Sequence, residues 1–147
     1  MPITMNDSGA LRALEAGIAA TSNLTPAMEE IAGELLAISD AAFSLLADPN
    51  TGQAWPPLTL GTIAERKKLG YSPGEVLQRE GTLRGEVGTE VGPNFVDVGS
   101  PVEYALVHQL GGTPPQNIPP RPYVGASPED LLEFEDILSD FILSRVN

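Results

Sequence analysis

Between Tyr104 and Gly112 the chain reads Tyr-Ala-Leu-Val-His-Gln-Leu-Gly-Gly, and it continues into Ile118-Pro119-Pro120-Arg121-Pro122-Tyr123-Val124-Gly125. No other stretch restricts the fold as strongly. Gly111 and Gly112 stop a short helix. Pro119, Pro120 and Pro122 then fix φ and each removes a backbone donor, so the segment is excluded from helix interiors and central strands. After the helix the chain runs as an extended arm holding a defined shape around Arg121. This is the pattern of a structural signature, not of an active site.

The 147 residues suit one domain, and a domain of this size buries roughly 68–70% of the surface its unfolded chain exposes. Cysteine is absent, which removes disulfides, thiolate metal sites and cysteine nucleophiles together and fits assembly in a reducing cytoplasm. The start, Met1-Pro2-Ile3-Thr4-Met5-Asn6-Asp7, has no basic or apolar leader, and no window approaches a membrane-spanning length; neither secretion by a signal peptide nor a membrane location is expected. Twenty acidic against eight basic side chains give a net charge of −12. A broad phosphate-binding surface is therefore excluded, and any DNA meeting this protein should slide past it.

Helical periodicity dominates the first third. Asp7 and Ser8 can cap a helix carrying Leu11, Leu14 and Ile18, which Asn23 ends. Thr25 as N-cap and Pro26 at the first helical position open a second. Its seam of Met28, Ile31, Leu35, Ile38, Ala42 and Leu45 suits either the subunit's own core or packing between subunits. Asp48-Pro49-Asn50-Thr51-Gly52 is a turn, followed by the only tryptophan, Trp55, in an extended Trp-Pro-Pro-Leu stretch. A brief helix then bears Arg66, Lys67 and Lys68 near its end, either as solvated cations favoured by the helix dipole or as partners for an acidic face.

Leu83, Gly85, Val87, Thr89 and Val91 alternate with polar or small residues, the period of a half-buried strand. Gly92-Pro93-Asn94 turns the chain into Phe95–Gly99, completing a hairpin. Ser100, Pro101 and Glu103 read as a capping box for the helix with Tyr104 and His108, and Ser127, Pro128 and Asp130 repeat that signal for the last helix. There Leu131, Phe134, Leu138 and Phe141 form the expected buried stripe. The fold predicted is a single α+β domain over residues 1–147, mostly helical, with helices at about 8–22, 25–47, 60–69, 101–110 and 128–145 and a small antiparallel hairpin at about 83–99. The Pro/Gly-rich arm, Gly112 to Ala126, is long enough to suggest ordering by a partner.

Chemistry is sparse. The one histidine, His108, has no nucleophile elbow near it, and Ser100 is better explained as a cap, so a hydrolase reading is remote; the ring is expected to pack against the preceding turn and use its nitrogens on backbone groups of the glycine loop, with Gln109 presented alongside. Asp48, Asn50 and Gly52 resemble the opening of a calcium loop, but the later ligands are missing. No lysine-bearing phosphate cradle occurs, and Glu29 and Glu30 diverge around their helix. No catalytic, metal or cofactor-binding residue is assigned. The acidic segment Glu129, Asp130, Glu133, Glu135, Asp136, Asp140 is either a solvated face or an interface or pore-facing surface whose sign is used.

The order of these features resembles the phage virion morphogenesis family, the tail-completion and head-to-tail joining proteins of Mu-like and related tailed phages. The resemblance runs through Asp48-Pro49, Gly52, Trp55, Leu58, Thr62 and Lys67, and through Glu80-Gly81-Thr82-Leu83-Arg84, where members open a strand and Glu80 replaces a small hydroxyl residue. It is most specific in Val98-Gly99-Ser100, Tyr104-Ala105, His108-Gln109, Gly111-Gly112 and the arm from Ile118 to Gly125, with Pro119 and Pro122. The resemblance implies a non-enzymatic virion component at the tail's head-proximal end or neck. It is expected to form a homo-oligomeric ring, most simply a hexamer, around the DNA channel. Its partners would be tail terminator, tube or neck and connector proteins, with DNA passing through unbound and assembly in the bacterial host cytoplasm. The interface residues expected on this reading are Arg66, Lys67, Lys68, His108, Gln109, Arg121, Tyr123, Glu129, Glu133 and Asp136. Arg121 would fork onto backbone carbonyls or a carboxylate while the arm lies across an adjacent subunit. A transient capsid-assembly factor is the alternative.

Overall fold

A computed structural model describes residues 8–71 and 75–146. The elements run α1 (Ser8–Ser22), α2 (Thr25–Leu45), α3 (Leu60–Lys68), α4 (Thr82–Gly85), β1 (Gly88–Val91), β2 (Val96–Gly99), α5 (Ala105–Leu110) and α6 (Pro128–Val146). The fold is α+β and mostly helical, as the sequence predicts. Asp7, one of the two residues expected to cap α1, lies outside the described residues.

The start of α2 is capped differently from the expectation. The Asn23 side chain, not Thr25, is the acceptor: its Oδ1 takes hydrogen bonds from Thr25 N at 3.1 Å and Thr25 Oγ1 at 2.6 Å. Asn23 thus ends one helix and begins the next. At the other end α2 stops at Leu45, short of the expected 47. Leu46 adopts the left-handed conformation with φ 53°, and Ala47 then bridges Ala54 while Trp55 N donates to Leu46 O at 2.8 Å. A branched side chain at positive φ is unfavourable, and these two backbone ties hold it. The Asp48–Gly52 turn forms inside this loop, with Asp48 Oδ1 accepting from Asn50 N and Asn50 Nδ2, both at 2.8 Å.

The hairpin is shorter than predicted. β1 and β2 pair antiparallel with Gly88 opposite Gly99 and Val91 opposite Val96, but residues 82–85 form the single helical turn α4. Leu83 explains the difference: at 2% exposure it is one of the most buried side chains, and Gly81 at φ 75° turns the chain to plant it in the core. Tertiary burial overrides the alternating pattern, including the strand opening suggested at Glu80–Arg84.

Another correction concerns the first capping box. Ser100 Oγ accepts from Val102 N at 3.3 Å, a local turn that competes with helix initiation, so α5 begins at Ala105 with no side-chain cap. The second box forms as read: Asp130 N donates to Ser127 Oγ at 3.1 Å, and Asp130 Oδ2 accepts from Ser127 N at 2.8 Å.

The main core gathers Phe43 of α2, Trp55, Val76, Leu77, Leu83, Ala105 and Tyr123. Phe43 sits at its centre, edge-on to Trp55 with centroids 5.6 Å apart and tilted against Tyr123 at 5.7 Å. Each aromatic contact of this kind adds about 0.5–1.5 kcal/mol beyond the area it buries. Along the α2 seam, Met28, Ile31 and Ala42 are buried, Leu35 and Ile38 half-buried, and Leu45 is exposed. α2 packs against both strands and α6, and α6 packs against α1. The buried stripe predicted for α6 is the clearest failure of periodicity, and the apolar face of α1 is open as well. Leu11, Leu14 and Ile18 are 56–62% exposed, Leu131 is 54% exposed, and Phe134, Leu138 and Phe141 are only half-buried.

Candidate interaction site

The signature arm folds back on its own subunit. Arg121 N donates to His108 O at 2.7 Å and Gly112 N to Ile118 O at 2.8 Å, which pins the arm along α5. The Gln109 side chain then acts as a short strand partner: Oε1 accepts from Tyr123 N at 3.0 Å and Val124 N at 3.2 Å, while Nε2 donates to Val124 O at 3.1 Å. Glycine is required where this loop closes. A Cβ on Gly111, whose φ is 88°, would stand 3.1 Å from Ile118 O, and one on Gly112 would meet Ile118 and Val107 at 3.3 Å.

Prolines and the arginine complete the lock. Pro56 and Pro57 belong to the extended stretch after Trp55, and their carbonyls point at the arm. Arg121 donates to them from Nε at 2.8 Å and from Nη2 at 3.0 Å. Trp55 Nε1 returns a bond to Pro122 O at 2.8 Å. The fork onto carbonyls is therefore present, but inside one subunit, and Arg121, Tyr123 and Gln109 hold the arm in place. Arg121 and Tyr123 are 6% and 3% exposed. These bonds tie the arm from Arg121 to Val124 to its own subunit.

Beside the arm opens a cleft of about 600 Å³ between α3, the 77–83 segment, α5 and residues 116–121. Leu58, Leu69, Leu77, Leu83 and Ile118 supply apolar walls. Arg66, Arg79 and Arg121 bring positive charge, with Glu65 and Glu80 also at its lining. Arg66 is 8% exposed and donates from Nη1 to Glu75 O at 2.6 Å. Lys67 and Lys68, beside it on α3, are exposed. Among the described residues Arg84 and Asp40 form the one ion pair, at 2.7 Å, so neither Arg66 nor Arg121 has a carboxylate within 4.0 Å there. Burial, followed by the charge of Arg66, lowers the proton affinity of Arg121.

His108 lines the same cleft, edge-on to the Tyr104 ring with centroids 5.7 Å apart. Burial first, and then the Arg121 charge, holds its pKa below the ordinary histidine value, so the ring is neutral near pH 7. Its Nδ1 is buried without a hydrogen-bond partner, so the bond expected from the ring to the glycine-loop backbone is not made at that nitrogen. No hydroxyl nucleophile is bonded to the ring, and no group of three or more metal-ligating side chains exists among the described residues.

The acidic residues expected at an interface are elsewhere. Glu129, Glu133 and Asp136 lie exposed on α6, which contributes nothing to the cleft lining. A polar network joining α2 to α4 has no counterpart in the sequence reading: Arg84 reaches Asp40, Ser44 at 2.9 Å and Gln78 at 3.0 Å, and Gln78 Nε2 donates to Phe43 O at 3.0 Å. Separations of up to 44 residues leave no local pattern to read. Ala126 N to Asn50 Oδ1 at 3.2 Å is a similar unsignalled tie.

Residues 5–142 match the family described as the phage virion morphogenesis family. This chain belongs to that family, which is one of phage morphogenesis. Protein G of Escherichia phage Mu, whose name assigns it to capsid assembly, is 38% identical over 100 residues, covering 65% of this chain and 64% of its own length. The match thus spans just under two thirds of that relative. The Mu-like prophage FluMu G protein 1 of Haemophilus influenzae is 31% identical over 112 residues, covering 75% of this chain and 73% of that protein. No solved structure matches the chain. No helix among the described residues is long and apolar enough to cross a membrane.

Proposed function

We propose that this protein is a structural virion component at the head-proximal end of a phage tail or its neck. There it completes the tail and joins it to the filled head as a homo-oligomeric ring around the DNA channel, most simply a hexamer matching the tail. Its neighbours are the tail terminator, tube or neck connector proteins. The observation that carries assembly is the uncovered apolar surface. Leu11, Leu14 and Ile18 on α1 and Leu131, Leu132 and Leu143 on α6 are each 54–62% exposed. Open apolar side chains on two helices that pack together form surface of the kind that protein covers. The net charge of −12 supports the second half of the reading, since an acidic lumen repels passing DNA.

The test is electron microscopy of lysates in which this gene alone is disrupted. DNA-filled heads accumulating apart from tails with abnormal upper ends is the expected result. Intact infectious particles would overturn the joining role. The name of the phage Mu relative favours a second reading, a transient capsid-assembly factor. Missing or misshapen heads, with the protein absent from mature particles, would select it.

A further inference from the structure

We propose that the cleft beside the arm receives the outward face of α6 from a second copy of this chain, forming a head-to-tail contact. The inference deepens the ring reading above and supplies the joint between its subunits. Three of the eight cationic side chains, Arg66, Arg79 and Arg121, line one cleft, and Lys67 and Lys68 extend the positive charge along α3. Leucines and Ile118 supply apolar walls around them, alongside threonines, Gln116 and Asn117. A fitting occupant carries carboxylates flanked by apolar side chains.

The outward face of α6 has that composition. Leu132, the adjacent pair Glu135 and Asp136, Ser139 and Leu143 follow one another from turn to turn at three or four residues along one face of the helix, and all are exposed. Two leucines bracket two carboxylates. Asp140 and Glu129 extend the negative charge, and Arg145 is the only base on the helix. Within one subunit the two surfaces cannot meet, because α6 packs on α1 and α2 and contributes no residue to the cleft. Complementary surfaces on different parts of one chain pair between copies. Such heterologous contacts close into rings or run into filaments.

Arg66 and Arg121 are each more than nine-tenths buried and bond only to backbone carbonyls among the described residues. Glu65 and Glu80 at the lining offset part of the positive field, which makes the contact selective for a face that brings leucines as well as acids. Like-charged surfaces elsewhere on so acidic a chain are kept apart by the same electrostatics.

The absence of cysteine makes this contact directly testable. Glu80→Cys at the cleft and Ser139→Cys at the centre of the α6 face are prepared as separate full-length proteins, mixed and mildly oxidised. The expected result is a mixed disulfide formed several-fold more than between Ser139→Cys and a remote Gln53→Cys control. It should fall when Arg79→Glu is added to the Glu80→Cys chain. Yield equal to the control would overturn the contact, as would preferential pairing of Ser139→Cys with itself, which signals a two-fold arrangement of α6. Should a cysteine variant not fold, wild type and Arg79→Glu are compared by sedimentation. A wild-type assembly weakened by salt and by the charge reversal supports the contact; a monomer at every concentration overturns it. Microscopy of the gene disruption tests the joining role separately. Separated heads and tails with no cross-link would retain that role and sink this joint, and a cross-link with unaffected particles would do the reverse.

Discussion

Gln109 closes on Val124 from both sides, its Oε1 accepting from Val124 N at 3.2 Å and its Nε2 donating to Val124 O at 3.1 Å. A side-chain amide here takes the place of a β-ladder for an arm whose prolines cannot complete one. Gln109→Ala leaves two backbone N–H groups and a carbonyl without partners, and should cost about 1–3 kcal/mol in urea unfolding. Gln109→Glu keeps the acceptor but sets a carboxylate oxygen against Val124 O. The carbonyl raises the new carboxyl's pKa in the folded state, so its neutral, donating form is the stabilising one. The deficit of this variant should be largest at neutral pH and shrink as pH falls toward about 4.

Arg121 holds two carbonyls that proline neighbours cannot release to a regular ladder. Arg121→Lys replaces a planar fork by a single ammonium and leaves Pro56 O or Pro57 O unpaired, at about 1–3 kcal/mol. Trp55, the only tryptophan, bonds to Pro122 O and reports on the arm directly. Its emission should shift to the red in the variant before the far-ultraviolet dichroism of the helices changes.

Gly125 and Asn50 are in direct contact, and a Cβ on Gly125 would overlap the Asn50 side chain. Gly125→Ala should therefore displace Asn50 and break its bond from Ala126 N. In an Asn50→Ala background the same substitution should cost much less. The two changes are expected to be non-additive by about 0.5–3 kcal/mol in thermal or chemical unfolding. Simple additivity would show that the turn and the start of α6 are uncoupled.

His108 predicts the acid sensitivity of the fold. Its folded pKa lies below its unfolded value, chiefly through burial and then through Arg121, so the unfolded chain binds the extra proton first. Stability is thus fully present above the unfolded pKa of about 6.5 and falls as pH drops toward the lower folded value. The wild type should lose stability relative to His108→Gln between pH 7 and 5. Every other side chain is common to both proteins, so the difference between the two denaturation curves isolates the ring.

Local chemistry was enough to read much of this protein from its sequence. The long α2, the Ser127 capping box, the Asp48–Gly52 turn, the glycine stop after α5 and the extended arm arise from propensities acting within a few residues, and so does the small hairpin. Composition alone set the acidic charge and the absence of disulfides. Only the tertiary structure decided which faces those elements bury. Leu83 left the predicted strand because the core beside Phe43 takes it as a helical turn, and Leu11, Leu14 and Ile18 stayed exposed because no element among the described residues covers their side of α1. The arm lies on its own subunit because Arg121 meets carbonyls 64 and 65 residues away. Periodicity states that a face is apolar, whereas what covers it depends on contacts between distant segments, and those exist only once the chain has closed on itself.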